Sequence, residues 1–144
     1  KVIPPMREFH CFYRTQKPVP GSQASAVRYP ACEWREPGHA EAVALHPMNR
    51  FVCSWLTSDV SEVSRCDAVL HAIAQLENHT HTEWFADGDL FCVDFKLSGV
   101  QFNSSHVGPD DTAWWNLPEG RFSLVEVKAL LGVWRDFLAQ AAPH

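Results

Sequence analysis

Phe122-Ser123-Leu124-Val125-Glu126-Val127 opens the stretch that decides the fold, and the stretch runs on to about Gln140. Ser123 and Glu126 have the spacing of a capping box, in which the hydroxyl accepts from the amide of Glu126 and the carboxylate reaches back to the amide of Ser123. Phe122 before the cap and Val127 inside it are placed for a hydrophobic staple. Leu124, Val127, Leu130, Leu131, Trp134, Phe137 and Leu138 recur at steps of three and four, one wide apolar stripe along a helix. Glu126, Lys128, Arg135 and Asp136 fall mostly off that stripe. A helix of this kind buries its stripe against a large apolar surface, so the remainder of the chain has to supply one.

Working outward, the segment just before this helix, Ser104 to Gly120, is polar, carries Pro and Gly, and reads as a loop that also holds Trp114 and Trp115. Upstream of it the spacing predicts a β-meander. A strand over His79 to Phe85 leads into the turn Ala86-Asp87-Gly88-Asp89, whose Asp-Gly pair is a strong hairpin signal. Leu90 to Phe95 alternates Phe91, Val93 and Phe95 against Cys92 and Asp94, and Val100 to Asn103 returns after the turn at Leu97-Ser98-Gly99. Before the meander, an apolar helical period from Phe51 to Leu76 predicts one long helix opening at Pro47 and Asn49 and ending near Glu77. The alternative places a second N-cap at Ser58, ahead of Asp59 and Glu62, with Phe51 to Leu56 extended.

The N-terminal third is read as two strands, Glu8 to Thr15 and Ala26 to Trp34, the second weakened by Pro30. Gln16 to Ser25 joins them as a loop, Lys1 to Met6 is extended, Glu36-Pro37-Gly38 turns the chain, and Ala40 to Leu45 is ambiguous between a helical turn and a strand. The whole is one α+β domain over residues 1–144. Strands occupy 1–46, and 47–141 hold an antiparallel β-sheet (a meander) with two long amphipathic helices packed on one of its faces.

The 144 residues are 46% hydrophobic and 20% charged, enough apolar content for a real core and against a disordered chain. A formal net charge of −5 argues against a nucleic-acid binder and suits a basic partner. No run reaches the roughly 18 apolar residues of a membrane span. Cys11, Cys32, Cys53, Cys66 and Cys92 are widely spaced without a CxxC pair, which reads as reduced, mostly buried thiols of a cytoplasmic protein.

Several constellations are candidates for chemistry. On a strand, His79, His81 and Glu83 point to one side, the arrangement by which two imidazoles and a carboxylate meet a metal and support a metal-dependent enzyme. The competing reading is a solvent-facing polar strand start, and no metal or cofactor is expected. Asp87, Asp89 and Asp94 cluster at the hairpin without the spacing of an EF-hand loop, and read either as turn chemistry or, extended by Asp59, Glu62, Asp67 and Glu77, as an acidic patch for a basic partner. Trp114 and Trp115 serve either as a binding anchor or as a lid folded over the core. There is no Gly-x-Ser-x-Gly elbow, Walker loop or dinucleotide fingerprint.

From Phe51 onward, Trp55-Leu56, Asp59-Val60, Glu83-Trp84, Gly88-Asp89-Leu90, Val93 and Gly99-Val100 are followed by Ser123-Leu124, Glu126-Val127, Leu130, Trp134-Arg135 and Phe137-Leu138. In these residues the chain resembles the YacL-like group of small bacterial proteins, which includes immunity proteins of contact-dependent growth inhibition. The resemblance implies a non-enzymatic protein that binds the toxin domain of a cognate effector, often a nuclease. The expected contact surface, chosen by charge and expected exposure, is Asp59, Glu62, Asp87, Asp89 and Asp94 with the Trp114-Trp115 loop.

Overall fold

Alternation sets the sheets. In the computed structural model, which describes residues 6–23, 25–36 and 46–141, β1 (Phe9–Gln16) and β2 (Val27–Trp34) pair antiparallel as a two-stranded sheet with Phe9 opposite Trp34. A separate four-stranded antiparallel sheet has the order β3-β4-β5-β6, with β3 at Trp84–Asp87, β4 at Phe91–Lys96, β5 at Gly99–Ser104 and β6 at Arg121–Phe122. The helical segments are a π-helical stretch Met48–Cys53 that runs into α1 (Ser54–Asp59), then α2 (Val63–Glu77) and α3 (Leu124–Ala141). This is the expected α+β class with antiparallel sheets. The expected extended start at residues 1–5, the turn at 37–38 and the ambiguous segment 40–45 lie outside the described residues.

One face of the four-stranded sheet is apolar because Phe91, Val93 and Phe95 alternate along β4 and Val100 and Phe102 answer them on β5. Trp55 of α1 stands edge-on to Phe102 with ring centroids 5.4 Å apart and lies 5.8 Å from Phe95. The α3 stripe closes the same core: Leu124, Val127, Leu130, Leu131, Trp134 and Leu138 are buried. Each such side chain contributes roughly 2 kcal/mol of gross burial, so tertiary packing holds this helix far more than its propensity does. Its capping box forms as read, with the Glu126 amide donating to Ser123 Oγ at 3.1 Å and the Ser123 amide to Glu126 Oε1 at 3.2 Å. Across the helix pair, Lys128 meets Glu77 at 2.9 Å and Arg135 meets Asp67 at 2.9 Å. No helix among the described residues is long and apolar enough to cross a membrane.

Three expectations are corrected. The single helix from Pro47 to Glu77 breaks at Val60, whose backbone turns to φ −129° and ψ 53°. The Val60 carbonyl leaves the helical ladder and accepts the indole N–H of Trp134 at 2.7 Å. The Ser58 cap does not form either: Ser58 Oγ donates to the Ser54 carbonyl inside α1, and Glu62, in extended conformation, is the residue that precedes α2. The third concerns His79 to Glu83, which is not a strand. His79 takes a left-handed φ of 64°, and the amides of Thr80 and His81 return to the Gln75 carbonyl at 2.9 and 3.2 Å, a helix-ending turn. The strand begins only at Trp84. The short β6, beside β5 just ahead of the capping box, was not foreseen.

Candidate partner interface

The outer face of the four-stranded sheet is built from the side chains that alternate with the core. Register places Phe85 of β3 beside Asp94 of β4 and Gln101 of β5 in one row, and Asp87 beside Cys92 and Asn103 in the next. Over β5 this face is covered. Gln101 Nε2 donates to the Leu117 carbonyl at 3.0 Å, and Asn103 pairs twice with Asn116, accepting its amide at 2.7 Å and donating to its side-chain oxygen at 3.1 Å. Both residues are therefore buried with their polar groups matched. They hold down the loop that follows β5, and Asn116 turns it with a left-handed φ of 57°.

This anchoring decides where the tryptophans go. The amides of Trp114 and Trp115 both donate to the Asp111 carbonyl, at 3.1 and 3.0 Å, a tight turn immediately before Asn116. Trp115 is half-buried, whereas Trp114 is 59% exposed, so the loop does not fold both indoles over the core. Over β3 and β4 the face is open. Phe85 is 53% exposed beside Asp94, and Leu90 at the hairpin tip is exposed as well. Asp87 accepts the Cys92 thiol at 3.4 Å, and burial together with this carboxylate raises the Cys92 pKa above its usual 9.0. Asp94 lies 3.7 Å from Lys96, a half-exposed ion pair of little energetic weight. Asp89 is exposed at the tip, where its carbonyl accepts the Ser105 hydroxyl at 2.6 Å.

Of the seven residues singled out in sequence, five (Asp87, Asp89, Asp94, Trp114 and Trp115) belong to this sheet face, its hairpin tip or its covering loop. Asp59 does not. Only 9% exposed, it lies on the opposite, core side of the hairpin, where its carboxylate accepts the Phe91 amide at 2.9 Å and the Leu90 amide at 3.1 Å. The expectation that it is a solvated acidic residue is corrected: its charge is taken up by backbone donors. Glu62 is exposed but stands ahead of α2, away from the outer sheet face. His79, His81 and Glu83 are exposed in the turn region, and Glu83 reaches Lys96 at 3.9 Å. Without a strand there, the alternation that aimed all three to one side is lost, and among the described residues no three His, Cys, Asp or Glu side chains are gathered as a metal-ion site.

Phe85 and Leu90 are the residues that sequence reading missed at this surface. Phe85 had a signal, since it alternates with the inward Trp84 and Ala86, but ending the strand at Phe85 and giving Ala86 to the turn cut that alternation short. No family model matches the chain, and no curated protein or solved structure was found to be similar to it.

Proposed function

We propose that this chain is an immunity protein, a binding module that neutralises the toxin domain of a contact-dependent growth inhibition or similar bacterial competition system from within the cytoplasm of the producing cell. The observation that supports it is the open part of the sheet face, where exposed Phe85 stands beside Asp94 with Asp87 in the next row and Asp89 at the hairpin tip, together with exposed Trp114 on the loop that covers β5. Large aromatic side chains supply desolvation energy at an interface, and flanking carboxylates steer a basic cleft, such as that of a nuclease, towards it. The net charge of −5 acts in the same direction over longer range.

The test is co-expression with the toxin domain encoded beside this chain. The chain restores growth and co-purifies with the toxin. Trp114→Ala weakens the complex by about 2 kcal/mol, the scale of an interface hot spot. Asp87→Lys with Asp94→Lys slows association and flattens its salt dependence. Unchanged growth, or a complex indifferent to all three substitutions, contradicts the proposal.

A further inference from the structure

A second surface lies on the other side of β3. A cavity of about 230 Å³ is walled by Arg65, Ala68 and Val69 of α2 and by the unbroken run Trp84 to Gly88, with Trp55, Asp59 and Val60 at its floor. Successive residues of a strand point to opposite faces. A cavity that touches five in a row, including the outward Phe85 and Asp87, therefore lies along the strand's edge and not over a face. β3 is the terminal strand of its sheet, and no β4 residue lines the cavity among the described residues. The cavity is thus part of a groove between α2 and the open edge of β3.

That edge offers hydrogen bonds. The Gly88 amide donates to the Phe91 carbonyl at 2.9 Å, so alternation turns the backbone groups of Ala86 and Trp84 towards β4 as well. Those of Phe85 and Asp87 face the groove. The volume falls short of the roughly 300–1,000 Å³ of small-molecule sites and suits a side chain entering from a strand. The charges are uneven. Asp59 is engaged by the Leu90 and Phe91 amides, and Asp87 takes the Cys92 thiol on the outer face. Arg65, the one cation lining the groove, has no carboxylate within ion-pair distance among the described residues.

We infer that this groove binds an extended peptide segment of a partner protein, which adds to β3 as a further strand, sets one aliphatic side chain between Val69 and Trp84 and places one carboxylate on Arg65. Main-chain pairing supplies affinity and the pocket with its arginine supplies selectivity, the division of labour in strand addition. The inference concerns a surface separate from the open sheet face and stands or falls independently of it.

The experiment is selection of a random heptapeptide phage library on the immobilised full chain, followed by amide-resolved NMR titration with a synthetic copy of an enriched peptide. Enriched sequences are expected to share an aliphatic residue and a nearby Asp or Glu, and the Phe85 and Asp87 amides shift and gain exchange protection. Ala68→Trp, at an exposed helix position, fills the groove and abolishes binding, and Arg65→Glu weakens it about tenfold, while Trp114→Ala leaves it unchanged. Failure to enrich any sequence, peptides that bind the Ala68→Trp chain as well as the unaltered one, or a concentration-dependent dimer that protects the same amides overturns the inference.

Discussion

Two carboxylates beside the same hairpin, one reaching it from 31 residues away and one on its second strand, live opposite lives. Asp59 sits under the turn on the helical side, nine-tenths buried, and the amides of Leu90 and Phe91 replace its water. Asp94 sits on the far side of the sheet beside an exposed phenylalanine and a loosely held lysine. A buried charge is tolerated only where fixed donors stand in for solvent, and the turn provides two. The first carboxylate is spent on holding the fold and the second is left for solvent or a partner. Acidity by itself does not separate the two roles.

The sharpest way to break this contrast is Asp59→Ala. It strands the buried Phe91 amide and the part-buried Leu90 amide and is expected to cost about 3 kcal/mol in urea unfolding, with no effect on the open sheet face. Gly88→Ala comes next, because an added Cβ meets Asp59 Oδ2 at 2.5 Å and the Asp59 carboxyl carbon at 2.7 Å. It is expected to cost about 2 kcal/mol alone and clearly less in the Asp59→Ala background, a coupling that a double-mutant cycle reads. A smaller effect appears only in alkali. Burial raises the Cys11 thiol to about 12 and the Cys66 thiol to about 11 from 9.0. Above pH 9 the unfolded chain has released those protons while the folded chain retains them, so stability falls as pH rises from 9 towards 12. Cys11→Ala makes that decline shallower in unfolding measured at stepped pH. The smallest change is Asp94→Asn, expected within about 0.5 kcal/mol of the unaltered chain.

What the sequence made legible was local. Ser123 and Glu126 lie three residues apart and cap α3 as their spacing said, and the alternation of Phe91, Val93 and Phe95 sets the inner face of β4. The break between α1 and α2 was legible only as an alternative, a second N-cap at Ser58 ahead of Asp59 and Glu62, because the apolar helical period runs on through it. The contacts that make it join Asp59 to residues 31 and 32 positions away and Val60 to one 74 positions away. The same holds at the surface. Asp59 and Asp87 read alike in the chain, and only the hairpin's docking on the end of α1 buries one and exposes the other. His79 misled for a different reason: a left-handed turn at a non-glycine residue leaves no composition signal.

Hydrogen exchange at the Leu90 and Phe91 amides, compared between the unaltered chain and Asp59→Asn, tests most directly whether the buried carboxylate fastens the sheet to the helices. Both amides are expected to exchange only through large-scale opening in the unaltered chain, and to speed up by at least about tenfold in the variant, the scale of 1.4 kcal/mol. Exchange at the rate of an exposed loop in the unaltered chain, or equal rates in the two proteins, contradicts the account.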